Sequence, residues 1–231
     1  MNNSSIRSFV LGELTGAQCS RLPFFSRLAT SALAKTPDFL NAFYIRYQAA
    51  MHATRVMVYR LPNVESVELR KRVCAVIAED DNLPMGDSHH AQLADTWRSL
   101  LGGELRVDDS YFGELELLAS QLDSATSEFI RFSIRAYPLT LGPWVVVEGL
   151  AHDWIAALCE SLSVHFPSVR YSRYFVANFA SGVELGHSAE SLDVLTQVLA
   201  KRPQDRPETM RAVQETIERL HGFWRGCEEL L

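Results

Sequence analysis

Cysteine is scarce in this sequence and never paired at motif spacing. Cys19, Cys74, Cys159 and Cys227 lie singly in different segments, with no C-x-x-C. This excludes the cysteine-rich zinc and dithiol motifs, and each thiol reads as a small buried hydrophobe. Long apolar runs are missing too. No segment approaches the roughly 20 uninterrupted apolar residues of a membrane span. The opening stretch MNNSSIRSFVLGELTG has no apolar run followed by a small-residue cleavage site, so no signal peptide is expected and a cytoplasmic location is. Positive charge is outweighed: the formal net charge of −6 argues against nucleic acid or an anionic membrane surface as a partner. Walker loop, nucleophile elbow, Rossmann glycine pattern and zincin motif are all lacking. So are internal repeats and low-complexity segments.

What is present suits one helical domain spanning 1–231. Hydrophobic residues make up 47% of the 231, enough for a sizeable core. Glycine and proline fall between periodic segments rather than within them. Pro37 sits at the start of a helix whose apolar residues Phe39, Leu40, Phe43, Tyr44, Tyr47, Met51 and Val58 recur at three- and four-residue steps, with Pro62 just past its end. A second helix is predicted from about Val64 to Asp81, burying Leu69, Val73, Val76 and Ile77. Asp87 or Ser88 should cap a third, which stops at Gly102-Gly103. Helices follow over 109–122 and 125–137, then a strongly apolar one opened by Pro138 and running to about Leu162. The Val145-Val146-Val147 run inside it could suit a strand but has helical spacing on both sides. Further helices are predicted over 169–179 and 182–200, and a last amphipathic one from Pro207. The fold class is all-α, with about eight to ten helices.

Three clusters on these helices carry metal-ligand chemistry. Glu184 and His187 form a Glu-x-x-His pair, which projects both side chains from one helix face. Glu148 interrupts an otherwise apolar helix, and a buried carboxylate needs a partner. That partner is either an arginine such as Arg131 or Arg135, or a metal. His152, one turn later, is a ligand or a core histidine. In Glu79-Asp80-Asp81, placing residues at about 100° each puts Asp80 mid-stripe, with the other two at the edges. His89-His90 opens the next helix, and one of the two should point outward. Val183, Leu185 and Leu192 read as ordinary core, and His52, His165 and His221 as structural. Mixed carboxylate and imidazole ligands suit iron or manganese.

The order of these features, with Phe43 and Tyr47 on a Pro-initiated helix, then VELRKRVCAVIAEDDNLPMGDSHHAQLADTWRSLLGG, LGPWVVVEGLA and RYFVANFASGVELGHSAESL, resembles the haem-oxygenase-like helical superfamily. It is most similar to the branch of TenA-type thiaminases, pyrroloquinoline-quinone synthase, the chlamydial death-domain-associating protein and the di-metal oxidases, over about residues 20–200, leaving the C-terminal helix of about 207–230 outside. The resemblance implies a multi-helix bundle that commonly dimerises. It implies a mono- or dinuclear iron (or manganese) oxidase of a small organic substrate, with no haem. Its ligands would be Asp80 or a neighbour, His89 or His90, Glu148, Glu184 and His187. One family ligand is missing: the histidine four residues before Glu184 is Ala180 here, with Asn178 the nearest polar substitute. Either His152 replaces it, or the site holds one metal, or metal chemistry has been lost. A thiaminase-like hydrolase would require Cys159 to line the pocket. A quinone-synthase-like site would need a basic pocket drawn from Arg46, Arg131 and Arg135.

Overall fold

Proline and hydroxyl caps set the helix starts in this structure, a computed structural model. It describes residues 3–61, 66–80, 87–103, 105–107, 109–135, 141–180 and 182–231. Helices α1 (Asn3–Gly16) and α2 (Pro23–Thr30) precede α3 (Pro37–Val58), which begins with Pro37 in its first turn. Thr36 caps α3, its side chain accepting from the Phe39 N–H at 3.3 Å. α4 (Val67–Asp80) buries Leu69, Val73, Val76 and Ile77, the stripe expected of it. Ser88 caps α5 (His89–Leu101), which ends at Gly102 with φ 77°, a left-handed conformation that glycine adopts without a Cβ clash.

The next segments depart from expectation. In place of one helix over 109–122 there is a 3₁₀ turn, Asp109–Phe112, and a short α6 (Leu115–Ala119); Gly113 lies between them. α7 (Ser124–Arg135) follows, and then α8 (Leu141–Ser163). The expected start of α8 at Pro138 lies outside the described residues, as do Pro62 and Asp81. The predicted helix over 169–179 is replaced by a 3₁₀ turn at Pro167–Tyr171, a single turn α9 (Arg173–Phe175) and a π-helical turn at Val176–Ala180. Gly182, at φ 74°, reverses the chain into α10 (Val183–Lys201), and α11 (Arg206–Glu228) closes the fold. Neither α1 nor α2 is among the expected helices; the apolar positions Ile6, Val10 and Leu14 of α1 are few but buried.

α8 is the axis of the molecule, packed against α1, α2, α3, α10 and α11. Its valine run is helical despite the β-branching, because Val145, Val146 and Val147 are all buried among neighbours and tertiary packing outweighs their small propensity cost. Two glycines allow the close approaches. A Cβ on Gly142 would lie 2.9 Å from the Thr209 carbonyl of α11, and one on Gly149 would lie 2.6 Å from Leu14 Cδ1 of α1. One hydrophobic cluster runs from Ile6 to Cys227. Among the described residues there is no strand, and no helix is long and apolar enough to cross a membrane.

Candidate metal centre

The helical period decides which face of α10 turns inward. At about 100° per residue, Glu184, His187 and Ser191 share one side. They are 4%, 2% and 0% exposed, whereas Leu185, expected in the core, is 57% exposed on the other side. Glu184 is also in the first turn of α10, where the helix dipole favours a carboxylate. α8 lies directly against α10 and presents Glu148, 5% exposed. Glu148, Glu184 and His187 each offer a ligand atom, and these atoms all lie within 4.8 Å of one another.

The surroundings orient two of the three. Trp144, one turn before Glu148, donates its indole N–H to Glu148 Oε1 at 2.9 Å. The other oxygen, Oε2, stands 3.6 Å from His187 Nδ1. That separation is longer than a normal hydrogen bond. It is slightly beyond the spacing of two ligands of one ion, since bonds of about 2.0 to 2.2 Å put neighbouring ligand atoms roughly 3 to 3.5 Å apart. On its far side His187 Nε2 is 3.0 Å from Glu79 Oε2 of α4. A histidine that donates one ring N–H to a carboxylate holds its other nitrogen ready for a metal, the usual arrangement around protein-bound ions. With Nε2 turned to Glu79, Nδ1 is the nitrogen that faces Glu148.

Two carboxylates buried together repel unless positive charge offsets them, and Arg55 lines the cavity wall that Glu148 and Glu184 share. The arginines considered as partners for Glu148 are placed elsewhere. Arg135 pairs with Glu116 at 3.5 Å, and Arg131 is exposed on a separate groove with Glu128 and Arg219.

A cavity of about 70 Å³ borders the group, room for a few molecules the size of water. Glu148 and Glu184 line it together with His89 and His90. Both are half-buried because α5 starts at the cavity rim. His90 stacks on His52 with ring centroids 3.9 Å apart, and His52 stacks in turn on Phe112 at 5.2 Å. Burial, followed by the neighbouring His52, Arg55 and His89, holds the His90 pKa well below the usual histidine range, so it is neutral at neutral pH. His165 and His221 bond to the Leu28 and Ala17 carbonyls, each at 2.8 Å, as structural histidines should.

Of the six ligands expected, the structure brings three together, with His89 on the same cavity. His152 is neither in the three-residue group nor on the cavity wall. Asp80 ends α4, and its side chain lies outside the described residues. Its neighbour Glu79, which the helical stripe placed at an edge, reaches His187. Asn178, in the π-helical turn, reaches the wall while donating to the Tyr174 carbonyl at 2.7 Å. Tyr174 and Trp154, also on the wall, had no motif to mark them. π-helical turns recur at functional sites because the extra residue re-aims neighbouring side chains. No protein-family model matches the chain, and no curated protein matches it.

Proposed function

We propose that this protein is a metal-dependent oxidase in which Glu148, Glu184 and His187 hold iron or manganese, and in which dioxygen is turned on a small organic substrate in the adjoining cavity. The observation that carries this reading is the convergence of three buried ligand groups within 4.8 Å. The donor set fits the group: two carboxylates and one imidazole suit a hard or borderline divalent ion. Bound there, the metal would supply open coordination positions and electrons for dioxygen reduction. Three protein ligands at one point favour a single ion, with His89, on the same cavity wall, a candidate to extend the set. The likeness to haem-oxygenase-like oxidases agrees, and homodimerisation belongs to the same proposal.

The chain's own residues then have definite tasks. Trp144 keeps one oxygen of Glu148 occupied and aims the other at the centre. Glu79 fixes the His187 tautomer. Met51, Val58, Leu93, Val147 and Ile155 give the cavity apolar walls that limit water, which strengthens every electrostatic interaction inside.

The alternatives fare less well on particular residues. Cys159 is buried, is not on the cavity wall, and has its thiol pKa raised by burial, which opposes the thiolate that a thiaminase-like hydrolase needs. Arg46 is bonded to Asp123 at 3.2 Å and to the Gly226 carbonyl at 2.5 Å, so it does not build a basic pocket. A metal-free binding protein with the same small apolar cavity is the second reading.

The test is metal content after anaerobic, iron-supplemented purification of the parent, Glu148→Ala, His187→Ala and the isosteric Glu184→Gln. Near-stoichiometric iron or manganese in the parent, lost from the variants while they stay folded, is the expected result. A parent that binds neither metal under those conditions overturns the reading.

A further inference from the structure

Part of the cavity wall is aromatic, and the aromatic groups continue away from it into the core. Trp154 of α8 and Tyr174 of α9 line the cavity. Behind them lies Tyr47 of α3, 1% exposed, joined to both. The Tyr47 and Tyr174 hydroxyls are 2.8 Å apart, and Trp154 donates its indole N–H to Tyr47 Oη at 3.2 Å. The Tyr47 ring is 5.9 Å from Trp224 of α11, and the Trp154 ring 6.4 Å from it, both measured between centroids. The Cys19 thiol lies beside the Trp224 indole. The next residue, Ser20, is exposed and bonds through Oγ to Asp153 at 2.6 Å.

Tyrosine, tryptophan and cysteine are the side chains that most readily give up one electron, and five of them make this path. Phenylalanine would fill the same core volume. A buried phenol or indole additionally needs a partner for its polar tip, and here three tips meet in one hydrogen-bonded group at the cavity wall.

We propose that Tyr174, Tyr47, Trp154 and Trp224 form a one-electron relay between the cavity and the Cys19–Ser20 edge of the protein. The inference rests on the reading of the cavity as a place where dioxygen is reduced. The oxidant formed there from dioxygen takes one electron from the relay. The Tyr47 phenol loses that electron and passes its proton to the Tyr174 oxygen, while Tyr174 releases its own proton into the cavity. Oxidant and proton meet in the cavity, and a neutral phenoxyl is left on Tyr47. Trp224 then returns one electron to Tyr47, which recovers a proton by the same path. The exchange is reversible: the hole is shared between Tyr47 and Trp224, away from the reacting substrate, and a hole placed on Trp224 reaches Tyr47 by the same step.

The relay is testable without metal. In the 231-residue chain carrying Ser20→Cys and Cys74→Ser, position 20 is labelled with a ruthenium polypyridyl photo-oxidant, leaving the buried native thiols unlabelled. A flash in the presence of an external quencher withdraws one electron next to Trp224. The expected product is a tyrosyl radical in the electron paramagnetic resonance spectrum, altered by ring-deuterated tyrosine. It should be lost from the shape-conserving Tyr47→Phe/Tyr174→Phe double variant, where the hole stays on tryptophan, and fall several-fold in Trp224→Phe. No tyrosyl signal in the parent, or the same signal in the double variant, overturns the relay. Metal content, measured separately, decides the oxidase reading, so either idea can fail alone.

Discussion

Glu148 has two neighbours at its two oxygens, Trp144 and His187, and its surroundings invite substitutions. Removing the carboxylate that orients a metal-bound histidine lowers metal affinity about 10- to 100-fold in comparable sites. Glu79→Gln should therefore weaken iron binding by that order, and Trp144→Phe should do so through the lost N–H to Glu148. Competition with a chelator of known affinity measures both. Glu79 is 63% exposed at its side chain, so its loss should leave the melting temperature nearly unchanged. A large fall in stability with no change in metal affinity would make it a structural contact instead. The histidines show how far residue-level reading reaches. His165 and His221 were correctly left as structural. His89 and His90 are not separable from sequence, because both lie at the wall of one cavity once α5 is docked.

Among the elements, α3 and α8 carry the clearest local instructions. Thr36→Ala should destabilise the protein by about 1 kcal/mol, the usual worth of a helix cap, as read by urea denaturation. Gly142→Ala should cost roughly 1 to 3 kcal/mol by overpacking, because the new Cβ meets a backbone carbonyl that cannot swing aside. α4 is tied to α10 by Arg72, which bonds to Glu190 at 2.8 Å and Asp193 at 2.6 Å. The hydrogen bond from Arg72 lowers the Asp193 pKa below the ordinary carboxylate value. A carboxylate depressed in the folded state adds stability above its unfolded pKa, and that contribution is lost as pH falls through the folded value. Both partners are partly exposed, so Arg72→Ala should cost no more than about 1 kcal/mol at neutral pH. The difference from the parent should vanish in acid, which thermal melts at several pH values would reveal. Helix positions were legible in advance because proline, capping hydroxyls and apolar periodicity act within one or two turns. The split at 109–122 and the π-helical turn at 176–180 were not, since their own periodicity is helical and tertiary packing sets the break.

For the whole molecule, the simplest check on the packing is the accessibility of its thiols. Cys19, Cys159 and Cys227 are buried, and burial raises their pKa values, whereas Cys74 is exposed. Iodoacetamide should modify Cys74 alone in the native protein and all four cysteines after unfolding, counted by mass spectrometry. Rapid native labelling of Cys159 would contradict the structure and revive a thiol-based chemistry. The sequence alone determined the all-α class, most helix starts and the pairing of Glu184 with His187, because each depends on residues a few positions apart. It also singled out Glu148, since a carboxylate in an apolar helix calls for compensation wherever the helix packs. Only the tertiary structure decided what compensates it. The contact between His187 and Glu79 spans 108 residues and depends on how α4 docks on α10. Helical period places a side chain on a face, and packing of the helices determines which faces meet.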